Sequence, residues 1–264
     1  KTYLFNQLTA CQGCVGNWSG VTQTACKAKS FGDHEHTILD LPGCHALKEY
    51  AQEAERLKHP SGLEQLIKSK KVDLWLNVLD VENLEKQLYL TVQLLEARQN
   101  MIVVINRIDL LPVIKKNIDI QALAGFLMVP VVKVSAKLGL GIKALQTTIA
   151  QRLDNQMSRS SHSYPVKYDT ATEALLEEKS DDKSQSRFDV WGQLVQGDHL
   201  ASPPAWHFDV NIAKQLTVHG SMTDLMALTR YQAISRWCSH VVSQQGEARQ
   251  DQDKCFDAWF LHKW

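Results

Sequence analysis

The chain has 264 residues, 44% of them hydrophobic and 22% charged, with 29 basic and 29 acidic side chains. That length holds two domains or one large one, and the composition is that of an ordinary soluble globular protein. A net charge of zero offers no basic surface for nucleic acid and no polybasic membrane patch, and no apolar run reaches the roughly 18 residues needed to span a bilayer.

The chain opens on Lys1-Thr2-Tyr3, with no initiator Met and no apolar signal segment, which reads as a cut start. Residues 2–8 read as the first turns of a helix, with Leu4, Phe5 and Leu8 on one face. Residues 13–20 form a loop. Cysteines stand at 11, 14, 26, 44, 238 and 255, too scattered for a disulfide framework, and point to a reducing compartment. Cys11 and Cys14 make a C-x-x-C pair without a second ligand pair at matching spacing, so they read as free loop thiols. Two short strands, 25–31 and 36–39, flank a Gly32-Asp33 turn. His34-Glu35-His36 reads as a solvated hairpin tip there. Pro42-Gly43 ends the second strand, and 49–71 is mostly helical with a break at Pro60-Ser61-Gly62.

Residues 72–80 (VDLWLNVLD) form a buried apolar strand. A helix at 84–97 follows, then a strand at 101–106, a helix at 120–127, a strand at 129–134 and a helix at 142–153. Strands alternating with helices predict a parallel sheet covered on both faces, with ligands at the carboxyl ends of its strands. Asp40, Asn106, Asp109 and Ser135 all fall at such ends. Composition shifts near Asn155, and 157–163 is Ser-rich and polar, as in a linker. Beyond it, 173–178, 187–196, 211–216 and 223–243 have helical spacing without strand alternation. The expected organisation is an α/β unit over 1–154, a linker over 155–165 and a small all-helical domain over 166–264.

Asn106-Arg107-Ile108-Asp109 has the N-x-x-D form that selects guanine. The Asp carboxylate accepts from N1–H and from the 2-amino group, and adenine offers neither donor there. The motif gains weight from the order of its neighbours. Lys1-Thr2 matches the end of a P-loop, where the Lys neutralises phosphates and the Thr hydroxyl binds magnesium. Thr22 is positioned to give magnesium a second hydroxyl. Asp40-Leu41-Pro42-Gly43 fits D-x-x-G, whose Asp holds magnesium through water and whose Gly N–H meets the γ-phosphate. Ser135-Ala136-Lys137 places a backbone N–H on guanine O6. Cys44 stands where a water-orienting Gln follows D-x-x-G in Ras-like enzymes, which predicts slow hydrolysis or dependence on backbone groups, a cation or a partner.

Four stretches together resemble the cytosolic part of the ferrous iron transport protein B family. They are Lys1 to Thr9 at the P-loop end, Val15-Gly16-Asn17-Trp18-Ser19-Gly20-Val21-Thr22 at switch I, and Asn77-Val78-Leu79-Asp80 with the helix after it. The last comprises Ala227-Leu228-Thr229-Arg230-Tyr231 and the closing segment 253–264. The resemblance implies a P-loop GTPase fold whose first strand is missing from this chain, followed by a helical domain that favours the GDP state. It implies GTP and GDP as ligands, magnesium held by Thr2, Thr22 and Asp40, and a nucleotide contact along Gly20, Val21 and Thr22. It further implies potassium on the carbonyls of Gly16 and Trp18. The implied partners are a carboxy-terminal transmembrane domain, small Feo accessory proteins and further copies of the chain, with no nucleic acid. The implied place is the cytoplasmic face of the bacterial inner membrane, where GTP hydrolysis regulates Fe(2+) uptake.

The departures from the family are Tyr3 for a small hydroxyl residue, Cys11, Gly13 and Cys14 for a polar, often basic stretch, Ser19 for Pro, Cys44-His45 for a Thr-Tyr-like pair, and Arg107 for an apolar or basic residue, its stem still able to cover the base. Without the P-loop glycines and the strand before them, the chain as written is expected to bind nucleotide poorly, to lack GTPase activity and to leave apolar sheet surface exposed. Two other readings compete: a soluble ribosome-assembly GTPase, and a regulator that binds nucleotide without turnover.

Overall fold

A computed structural model of the chain describes residues 1–9, 24–27, 36–41, 43, 47, 66–67, 72–154, 164–178, 185–190 and 222–244. Outside them lie Gly16, Trp18, Gly20, Val21, Thr22, the C-x-x-C pair, Cys44, most of the expected helix at 49–71, the Ser-rich linker, the expected helix at 211–216 and the closing segment.

The described sheet is built on its most apolar strand. β4 (Met101–Asn106, MIVVIN) lies between β3 (Trp75–Asp80) and β6 (Val131–Lys133), all parallel. Its side chains alternate between two cores, so both faces must be apolar, and the strand reads as one unbroken hydrophobic run. Ile102 and Val104 pack with Leu4 and Leu8 of α1 (Thr2–Leu8) and with Ile142, Leu145 and Ile149 of α4 (Ile142–Asp154). Met101, Val103 and Ile105 pack with α2 (Leu84–Glu96), α3 (Ile120–Leu127) and α6 (Met222–Val241). Asp119 caps α3, its Oδ1 accepting from the amides of Gln121 and Ala122 at 3.0 Å each.

β1 (Thr24–Lys27) and β2 (Thr37–Asp40) pair antiparallel, and the expected turn at Gly32-Asp33 lies outside the described residues. No ladder joins β2 to β3 among the described residues. An apolar groove of about 550 Å3 lies between them, lined by Leu4, Leu8, Ile38, Trp75, Ile149 and Leu153 among others, and the buried Trp75 indole N–H has no hydrogen-bond partner.

Some boundaries differ from the sequence-based expectation. β3 starts at Trp75 rather than at residue 72. The last long helix stops at Val241 rather than at residue 243, and the chain continues as β7 (Val242–Gln244), which pairs antiparallel with β5 (Lys116–Ile118). Neither three-residue strand is long enough to show a period in sequence. The pairing ties the region before α3 to the end of α6, and the Asp119 amide adds a bond to the Val241 carbonyl at 3.0 Å.

α5 (Thr170–Glu178) completes the described helices beyond the linker, and the start of the expected helix at 187–196 is helical through Val190. The apolar stripe of α6 runs Met226, Arg230, Ile234, Trp237, Val241, at helical spacing. That of α2 runs Leu84, Leu88, Val92, Glu96. Each stripe carries one charge, and the two charges meet. Arg230 donates from Nη2 to Glu96 Oε2 at 2.6 Å, with both side chains at most 2% exposed. Tyr168 donates to the other Glu96 oxygen at 2.6 Å, and Tyr89 stacks on Tyr231 with ring centroids 4.7 Å apart. Burial, then the charge of Glu96, pushes the Tyr168 hydroxyl well above its ordinary pKa.

Candidate functional site

The carboxyl ends of β4 and β6 carry the residues that the guanine-type motifs singled out, and the two loops there are stitched together. Asn106 is the last residue of β4, and its Oδ1 accepts from the Ala136 amide at 3.0 Å. Asp109 lies in the 3-10 turn Ile108–Leu110, where its Oδ1 accepts from the buried Ser135 hydroxyl at 2.5 Å. The Ile108 amide donates to the Val134 carbonyl at 3.2 Å. Four residues that sequence spacing alone associates are thus brought into one cluster.

The second loop is closed on itself. Ser135 and Leu140 exchange both backbone hydrogen bonds, at 3.0 and 3.1 Å. Gly141 ends this hairpin at a φ of +75°, and a Cβ there would stand 2.2 Å from the Lys133 carbonyl oxygen, so only glycine fits. Two of the three amides in Ser135-Ala136-Lys137 are therefore engaged, that of Ser135 by Leu140 and that of Ala136 by Asn106. The Lys137 side chain is exposed.

Arg107 adopts the left-handed conformation, φ +66° and ψ 35°. Its guanidinium turns toward the end of β3, with Nη1 2.7 Å from Asp80 Oδ2 and 2.6 Å from Glu82 Oε2. The hydrogen bond to Asp80 raises the Arg107 pKa above its ordinary value. The part played by Asp80 and Glu82 was not read from the sequence. One signal was present, since Asp80 ends a strand that runs beside Asn106.

Lys1 caps α1 and its Nζ lies 2.7 Å from Asp40 Oδ1 at the end of β2. Thr2 opens the helix directly after Lys1. Gly43 is exposed, and a Cβ there would meet nothing within 4 Å, so packing in this conformation does not require glycine. Gln7 of α1 reaches the Ala136 carbonyl at 3.5 Å, which links α1 to the loop after β6. The oxygen donors of Thr2 and Asp40 suit a hard divalent cation such as magnesium. Among the described residues no group of three or more His, Cys, Asp and Glu side chains could hold a metal by itself, and no helix is long and apolar enough to cross a membrane.

Residues 1–149 match the family model described as ferrous iron transport protein B. The Fe(2+) transporter FeoB of Shigella flexneri is 32% identical over 246 residues, covering 91% of this chain, and that of Salmonella typhimurium is 33% identical over 250. The chain spans about a third of the length of these relatives, 32%. Among solved structures, a mutant NFeoB of S. thermophilus bound to GMPPNP superposes with a TM-score of 0.70 at 28% identity, covering 90% of this chain and 95% of that one. The cytosolic domain of L. pneumophila FeoB gives 0.65 at 25% identity, covering 92% and 94%.

Proposed function

The chain belongs to the ferrous iron transport protein B family, its fold is that of a P-loop GTPase, and from that premise we propose that it is the guanine-nucleotide switch of a ferrous iron transporter. The observation that carries this is the interlock of Asn106 with Ala136 and of Asp109 with Ser135 at the carboxyl ends of adjacent parallel strands. The interlock supports a reading in which the Asp109 carboxylate meets the base edge and a backbone N–H of Ser135-Ala136-Lys137 meets guanine O6.

Lys1, Thr2, Asp40 and Gly43 then serve the phosphates, together with Gly20, Val21 and Thr22 of switch I. The Lys1–Asp40 pair opens as phosphate draws Lys1 away. Thr2, Thr22 and Asp40 hold magnesium, which when bound neutralises charge on the phosphates. In this proposal the carbonyls of Gly16 and Trp18 hold potassium. Binding of the γ-phosphate orders the switches, hydrolysis releases them, and a transmembrane domain at the inner membrane reads the change. The domain division at 154 and 165 belongs to the same proposal. Across that division α2 and α6 meet through the Glu96–Arg230 pair and the Tyr89–Tyr231 stack.

The test is nucleotide hydrolysis by the full-length gene product, with GTP against ATP and potassium against sodium. Turnover of GTP alone, faster in potassium, is the expected result. Hydrolysis of both nucleotides at equal rates would remove the guanine assignment. Tight GDP binding without turnover, in single-turnover conditions, would leave a regulator in which Cys44 has replaced the water-orienting side chain.

A further inference from the structure

The base-reading loop is held from two sides. On one side Asn106 and Asp109 bind the loop after β6. On the other, Arg107 reaches with its charge toward the end of β3. Asp80 pairs with Asn106 in the parallel register, and the Val81 amide donates to the Asn106 carbonyl at 3.3 Å, so the two strand ends are neighbours before any side chain acts. Asp80 is itself fixed. Its amide donates to Gln87 Oε1 at 2.5 Å, and its Oδ1 accepts from the Glu82 amide at 3.0 Å. Its second oxygen is thereby presented to Arg107, and Glu82 adds a second carboxylate to the same nitrogen.

Arg107 meanwhile holds a left-handed backbone that L side chains resist, directly between the two residues of the motif that face the base. A strained turn persists only where its surroundings over-determine it. Here the anchored Asp80 carboxylate, with Glu82 beside it, supplies part of that constraint.

We propose that Asp80 and Glu82, by clamping Arg107, set the rate at which guanine nucleotide leaves the site, with Arg107 acting as a positioning residue of the base-reading loop. This rests on the nucleotide assignment above. The clamp keeps the Arg107 turn formed, and the turn keeps Asn106 and Asp109 at the spacing that meets one base edge. Opening of the loop, the step that frees the base, requires the ion pairs to break. Because the Arg107 guanidinium is half exposed, salt screens the clamp and should speed release.

The experiment is release of a fluorescent GDP analogue from the full-length gene product, measured at low and high salt. Wild-type release should accelerate as salt rises. R107M and D80N should each release about three- to tenfold faster at low salt, a coupling typical of residues in contact. R107M should lose the salt dependence, and D80N, which leaves Glu82 on the same nitrogen, should keep part of it. The double variant should be no faster than the faster single one, and R107K, which keeps a charge for Asp80, should stay near wild type. E82Q, at an exposed position, should shift the rate the same way by less, and it carries the test if D80N does not fold. Unchanged release in R107M and E82Q, or effects that multiply in the double variant, would overturn the clamp while leaving the nucleotide assignment intact. A wild-type protein that holds no GDP would overturn that assignment and the clamp with it.

Discussion

Two ion-pair clusters use the same chemistry in opposite surroundings. Glu96 and Arg230 join α2 to α6 with side chains 1% and 2% exposed, whereas Arg107 meets Asp80 and Glu82 with side chains 46%, 24% and 43% exposed. The buried pair has lost its water, so each charge depends on the other and on the hydrogen bond from Tyr168. The exposed cluster keeps its water and gains little net energy from pairing. In the clamp proposed above it contributes position, by holding the Arg107 turn between Asn106 and Asp109. The same residue types thus serve stability in one place and geometry in the other, and burial decides which.

The largest effect should come from breaking the buried pair on one side. Arg230→Ala leaves the Glu96 carboxylate in the core and should cost about 3–5 kcal/mol in urea unfolding. Replacing both, Glu96→Leu with Arg230→Met, should return most of that loss. A double variant as unstable as the single one would mean that the pair is not the source. Next comes a change at the site that touches no charge. Gly141→Ala drives a methyl into the Lys133 carbonyl and forces a left-handed Ala, which should cost about 1–3 kcal/mol. Because the same loop presents Ser135 and Ala136, GDP affinity should fall together with the unfolding midpoint. The smallest stability effect should be that of Arg107→Met, with no measurable change in the unfolding midpoint of the nucleotide-free protein. A loss approaching that of Arg230→Ala would erase the contrast between the two clusters.

Much of the sheet was legible because its signals are local. The run at 101–106 and the strand ending at Asp80 show their burial in their own composition, and Asn106 to Asp109 carry their motif in four consecutive residues. The helices at 84–97, 120–127 and 142–153 announced themselves by apolar spacing and fell within one residue of their observed ends. Glu96 and Arg230 also had a local signal, a charge inside each apolar stripe, but neither stripe names the other's charge. They lie 134 positions apart in sequence.

The sequence by itself determined that a parallel α/β sheet would form and that its guanine-type motifs would fall at strand ends, because periodicity of 2 or 3.6 and strand-end position are properties of a few adjacent residues. Only the tertiary structure decided that Asn106 takes up the Ala136 amide, that Arg107 turns to Asp80 and Glu82, and that β5 pairs with β7. Each of these joins segments whose distance is set by how helices pack across the sheet, and that packing is a sum over the whole core that no short window of sequence contains.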